Sequence, residues 1–186
     1  MCKWAGLTMA QRNSEYERLP MDLYQTPDWV TVALIPHIPR RVKDVWEPAA
    51  GNGDMVKALR HHGYNVRASD IKTGKDFLKA IVMQGQAIIT NPPYTDAQKF
   101  IEHALMLTKK HHGVVAMLTR IDFDSAKTRQ HLFEDHPAFA KKIVLRKRIR
   151  WIRNSTGSPS ENHCWQIWDW RHKGPPTIAY EPHEVG

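Results

Sequence analysis

At 186 residues, the chain is long enough for one domain with a full core and short for two. Apolar residues make up 41% and charged residues 25%, and no apolar run is long enough to span a membrane, so disordered and membrane-embedded classes are excluded. Lysine and arginine outnumber the acidic residues 27 to 19, giving a net charge of +8, which favours a polyanionic partner such as nucleic acid.

The first 20 residues are polar and irregular and lack the apolar core of a secretory signal, and the only cysteines are Cys2 and Cys164. The expectation is a reducing cytoplasm, or a host-cell cytoplasm if the gene is carried by a phage. Neither a disulfide framework nor a zinc site is expected. The eleven histidines show no H-x-x-x-H or Cys/His spacing, so no metal is expected either.

In chain order, "VKDVW" (42–46) reads as a first strand, followed by a glycine-containing turn at 47–53 and a helix through "DMVKALRHH". "YNVRAS" (64–69) reads as a second strand ending at Asp70, and "QAIIT" (86–90) as a third. A helix is predicted from about Asp96 to His111, because Ala97, Phe100, Ile101, Ala104, Leu105 and Leu107 follow a 3.6-residue period. "GVVAMLT" (113–119) is an apolar strand, Ser125 to Phe133 a helix candidate, and "KKIVLRKRIRW" (141–151) and "CWQIWDW" (164–170) late strands. Strands alternating with helices imply right-handed crossovers, so the expected fold is α/β, Rossmann-like, with a mostly parallel sheet covered by helices on both faces. The boundaries expected are an irregular segment over 1–20, one catalytic domain over 21–172, and a Pro/Gly-rich tail over 173–186.

In such sheets, ligands bind beyond the carboxyl ends of the strands. Three sequence features fall at those ends. "EPAAGNGD" (47–54) carries Gly51 and Gly53, which allow a tight turn and close approach to a ligand. Asp70 follows Gly51 by nineteen residues, a spacing suited to a carboxylate on ribose hydroxyls, although a solvated carboxylate ending a strand reads equally well. Val56 stands where a dinucleotide fingerprint has its third glycine, which favours a nucleoside over a pyrophosphate. The third feature is "NPPY" (91–94), directly after an apolar strand. Each proline holds its predecessor extended and neither can donate to a ladder, so the tetrapeptide is stiff.

Taken together, "EPAAGNGD", "ASDI" (68–71), "GKDF" (74–77) and "NPPY" resemble the S-adenosylmethionine-dependent amino-group methyltransferases. "DLYQTPDWVTVALI" (22–35) and "HCWQIWDW" are similar to further segments of the adenine-N6 DNA members, and the leading Asn of the tetrad points the same way. The resemblance implies S-adenosylmethionine as cofactor. Tyr24, Thr26 and Pro27 would border its methionine carboxylate, and Glu47, Pro48, Ala49, Gly51, Asn52 and Gly53 would cradle the methionine part. Asp70 would take the ribose, Ile71 the adenine ring, and Asp76 and Phe77 its amino edge, with Asn91 near the reacting centre. The short interval between Asp76 and the strand at 86–90 leaves room for only a very short helix there.

Asn91, Pro92, Pro93 and Tyr94 are the implied catalytic residues. An exocyclic adenine amine is a poor nucleophile because its lone pair is delocalised into the ring. Acceptors on Asn91 and the Pro92 carbonyl would localise that lone pair, and Tyr94 would stack on the flipped base, worth about 1–3 kcal/mol. Arg146, Arg148, Arg150 and Arg153 form a basic stretch in which alternate residues share a strand face and could meet phosphates, or merely face solvent. Trp151 reads either as core or as a second stacking surface opposite Tyr94.

The expected partner is DNA, with structured RNA or a protein glutamine amide as alternative acceptors and a non-catalytic nucleic-acid-binding module as the alternative of another class. A monomer or homodimer is expected, with short or relaxed sequence specificity, and the compactness fits a phage enzyme.

Overall fold

The computed structural model describes residues 25–151, 159 and 161–182. Seven strands form one sheet: β1 (Asp44–Glu47), β2 (Asn65–Ala68), β3 (Ala87–Thr90), β4 (Val114–Arg120), β5 (Phe139–Val144), β6 (His163–Asp169) and β7 (Thr177–Tyr180), in the order β2-β1-β3-β4-β6-β5-β7. Four of the six pairings are parallel; only those of β6, with β4 and with β5, are antiparallel. The fold is Rossmann-like, a mostly parallel sheet with helices, as expected.

Three α-helices accompany the sheet: α1 (Asp28–Leu34), α2 (Asp54–His61) and α3 (Ala97–Lys109). The core of one sheet face joins Val30 and Leu34 of α1, Leu59 of α2 and the strand residues Val45, Ile89, Leu118 and Trp165. On the opposite face, Phe100 and Ile101 of α3 pack with Trp46, Ile88, Met117 and Trp168. With apolar layers on both faces, all of β3 and six of the seven residues of β4 are buried, which is why they read as unbroken apolar runs.

Buried tryptophans tie the layers by hydrogen bonds as well as by area. Trp165 donates from Nε1 to the Val30 carbonyl (2.8 Å), locking α1 to β6. On the far side Trp168 donates to the Leu132 carbonyl (2.6 Å), and Trp46 donates to Ser69 Oγ (2.9 Å). Each bond satisfies an indole N–H that would otherwise be buried without a partner.

Three local expectations are corrected. Residues 125–133 form not an α-helix but 3₁₀ turns at Phe123–Ser125 and Lys127–Leu132, bonded too tightly for an α register. Between β2 and β3, by contrast, the very short helix expected after Asp76 is met by the 3₁₀ turn Phe77–Lys79, preceded by another at Ile71–Thr73. The basic stretch stops being a strand at Val144: beyond it Leu145 and Ile149 are buried while Arg146, Lys147, Arg148 and Arg150 are exposed, so the period is no longer two. Finally, the sheet continues past residue 172, because β7 pairs in parallel with β5. Among the described residues, no helix is long and apolar enough to cross a membrane.

Candidate active site

The strand order reverses at β1, which leads through α2 to β2 on one side and has β3 on the other. Such a reversal opens a crevice at the carboxyl ends of the strands. Glu47 ends β1, Thr90 ends β3 and Asp70 follows β2, so two side chains expected at the site, Glu47 and Asp70, and Thr90, which was not, come from neighbouring strand ends.

Glu47 is 1% exposed. Its Oε1 accepts from the Ala49 N–H (3.0 Å) and from the Thr90 hydroxyl, while Oε2 is buried with no hydrogen-bond partner among the described residues. Burial pushes the carboxyl up to about 8; the two hydrogen bonds oppose that rise and the nearby Asp70 charge adds to it. Glu47 is therefore a neutral acid at neutral pH, with one oxygen in want of a partner.

The turn after β1 needs its glycines: Gly51 has φ +52° and Gly53 φ +84°, both left-handed. The Gly51 N–H donates to Asp70 Oδ2 (2.8 Å), and the Asn52 N–H to Gln25 Oε1 (3.1 Å). A Cβ on Gly51 would lie 2.7 Å from the Gln25 amide nitrogen. Asp70 caps the next turn by accepting from the Lys72 N–H (2.9 Å), and Asp76 does the same for Leu78 (3.0 Å). Phe77 is buried between Trp46 and Phe100, at ring separations of 5.3 and 4.9 Å.

These groups line a cavity of about 350 Å³, the size of a small-molecule site. Of the residues expected at the cofactor, Thr26, Glu47, Pro48, Ala49, Gly51, Asp70, Ile71, Asp76, Phe77 and Asn91 line it, with Pro93 of the tetrad. Pro27, Asn52 and Gly53 do not line it but shape the chain around it, as N-cap of α1, donor to Gln25 and N-cap of α2. Tyr24 and Arg153 lie outside the described residues. The sequence reading missed Gln25, Met55, Lys72, Leu78, Asp96, Lys99 and Phe100 of the lining. Lys99 and Phe100 could have been found, since they stand on the first turn of the helix that opens directly after the tetrad.

Asn91 follows β3 with its side-chain oxygen buried, and Pro92 is buried beside it. Tyr94 opens a 3₁₀ turn, Tyr94–Asp96, that runs into α3. Its hydroxyl lies 2.9 Å from Nε2 of His163, the first residue of β6 and a fully buried one. The two rings stack at 6.0 Å with 28° between planes. Burial lowers His163 to about 4, with Arg120 pushing the same way and the Glu161 backbone and Asp122 opposing, so the ring is neutral at neutral pH. The sequence reading had His163 only as the first residue of the late segment "HCWQIWDW" and gave it no role.

Trp151 stands edge-on to Tyr94, 6.2 Å away at 72°, and edge-on to His163, 5.2 Å away. Tyr94 and Trp151 are thus not two parallel walls across a slot, as one reading of the sequence had them. The arginines lie past the end of β5, so no strand face presents them as expected. Arg146 donates to the Glu181 carbonyl (2.7 Å), while Arg148 donates to Asn162 Oδ1 (3.0 Å) and the Pro159 carbonyl (3.2 Å), leaving Arg150 exposed further along. The side chain of Arg148 braces the chain between β5 and β6.

No protein-family model matches the sequence, and no curated protein matches it. Solved structures do match in fold. A protein of Listeria monocytogenes, assigned as a class I S-adenosylmethionine-dependent methyltransferase, is 16% identical with a TM-score of 0.62, over 88% of this chain and 68% of that one. The methyltransferase subunit of a type I restriction-modification system from Streptococcus thermophilus is 13% identical with a TM-score of 0.58, over 84% of this chain and 47% of the subunit. A Lactococcus lactis protein assigned as a haemolysin is 12% identical with a TM-score of 0.54, over 84% of this chain and 92% of that one. The chain spans about half the length of the type I subunit. At these identities the likeness is one of architecture, and that architecture is the class I methyltransferase fold.

Proposed function

We propose that the chain transfers a methyl group from S-adenosylmethionine to the exocyclic N6 of adenine in DNA. The observation that carries the reading is Asn91. It directly follows the fully buried strand β3, lines the cavity at the switch point, and is joined through two prolines to an aromatic ring outside it. The restriction-modification likeness supports a DNA substrate only as an analogy of fold.

The cavity suits the cofactor on its own evidence. Glu47 lines the cavity and its Oε2 is buried without a partner among the described residues, an acceptor that an ammonium can satisfy. Asp70 offers acceptor oxygens at the end of β2 for ribose hydroxyls, and Ile71, 63% exposed at the lining, offers an apolar surface for a purine. When bound, S-adenosylmethionine supplies an electrophilic methyl on a sulfonium. The protein supplies the rest: the Asn91 side-chain oxygen and the Pro92 carbonyl accept the two amine hydrogens, and the proline pair fixes both acceptors before the base arrives. Tyr94 stacks on the extruded base and aligns its nitrogen with the methyl. The methylated nitrogen is cationic and loses its proton readily, so no dedicated general base is needed.

Asn91→Ala tests this mechanism. Transfer to DNA should fall by at least about a hundredfold, the scale of losing a preorganised acceptor, while cofactor affinity stays within a few-fold. Undiminished turnover would remove Asn91 from the chemistry.

A further inference from the structure

We infer that His163 is a positioning residue for Tyr94: it accepts the phenol O–H at Nε2 and stacks on the ring, so that Tyr94 presents one fixed face to the acceptor. This deepens the proposed methyl transfer and rests on that reading for its functional half.

A tyrosine in a short turn can rotate its ring, and a rotating ring is a poor platform for a flat acceptor. Here the rotation is blocked from a rigid element. His163 begins β6, is fully buried, and pairs across the sheet with Arg120 of β4, so its imidazole moves only with the sheet. The 2.9 Å bond fixes the phenol oxygen, and the 28° stack covers one side of the ring. Trp151 presses edge-on against both rings, restraining them further. The acceptor therefore meets Tyr94 on the side away from the imidazole. Low basicity of the buried ring keeps Nε2 free of a second proton at neutral pH, and the tautomer with hydrogen on Nδ1 leaves Nε2 as the acceptor.

Two measurements on the full chain test this. Nitrogen-15 imidazole spectra, with the His163 signals identified by their loss in His163→Gln, should show hydrogen on Nδ1 and a bare Nε2. Tyr94→Phe should shift that Nε2 signal and leave the other imidazoles in place. Hydrogen on Nε2, or no response to Tyr94→Phe, overturns the inference, and this arm needs no catalysis.

In the second measurement, His163→Phe and Tyr94→Phe should each lower kcat on DNA about tenfold, the worth of one buried hydrogen bond, with cofactor Kd within twofold. The double variant should lose no more than the worse single one, because both remove the same bond. His163→Gln, which keeps an acceptor near Nε2, should recover most of the rate. Additive losses, or full rate in His163→Phe, overturn the positioning role. A wild-type chain that methylates no DNA would overturn the functional reading instead, and the imidazole spectra alone would then decide the contact.

Discussion

The buried carboxyl of Glu47 accepts a hydrogen bond from the hydroxyl of Thr90, joining the ends of β1 and β3 across the point where the strand order reverses. That bond satisfies Oε1, Oε2 is buried with no hydrogen-bond partner among the described residues, and Glu47 lines the cavity, so the state of one carboxyl bears on both folding and ligand binding.

The pH dependence follows from Glu47 being held near 8 against an ordinary value of 4.5. Because the folded carboxyl keeps its proton longer than the unfolded one, its contribution to stability is complete below pH 4.5 and is lost as pH rises through about 8. Glu47→Gln should therefore be more stable than wild type at pH 8 without ligand, by chemical denaturation. Binding of the proposed cofactor should reverse the preference, since its ammonium would favour the carboxylate. Calorimetry at pH 7 in buffers of different ionisation enthalpy should find about one proton released on binding, and none in Glu47→Gln.

His163 gives the opposite slope. Its folded value near 4 lies below the ordinary 6.5, so its contribution is complete above pH 6.5 and lost as pH falls toward 4, where the unfolded chain takes the proton first. The loss is on the order of 3 kcal/mol at its limit. His163→Gln should flatten the stability profile between pH 6.5 and 4, measured by urea midpoints.

Gly51→Ala should destabilise the chain by about 1–2 kcal/mol, because a left-handed φ of +52° strains any residue with a Cβ. The new methyl also displaces the Gln25 amide from the Asn52 N–H, so cofactor affinity should fall as well. Gly53→Ala carries the same kind of strain with open space around it, and should cost stability with a smaller effect on affinity. Thermal melts and cofactor titrations of the two variants separate the effects.

Trp165→Phe removes the indole bond to the Val30 carbonyl and leaves that carbonyl buried without its donor. A loss of about 2–3 kcal/mol is expected from the bond and the smaller ring together. Since α1 carries the chain from Gln25 and Thr26 into the core, faster amide exchange across Asp28–Leu34 should accompany it.

The sequence made the sheet legible wherever burial on both faces wrote an apolar run, as in Ile88–Ile89 and Val114–Leu118, and it made α3 legible through its 3.6-residue period. It misled where short-range hydrogen bonding decided the outcome. Residues 127–132 have helix-like composition but close 3₁₀ turns, and β7 is a strand with only Ala179 partly covered, so no alternation betrays it. At the site, glycines and prolines announce themselves because their backbone chemistry is exceptional. Gln25 and His163 carry ordinary side chains that acquire a role only through a contact made far along the sequence.

The central claim is tested most directly by incubating the chain with S-adenosylmethionine labelled in its methyl group and unmethylated duplex DNA, with RNA in parallel. The products are digested to nucleosides and identified by mass. Labelled N6-methyladenine from DNA, absent with Asn91→Ala, is the predicted result. Label in RNA alone, or none in nucleic acid while the cofactor still binds, would contradict the account.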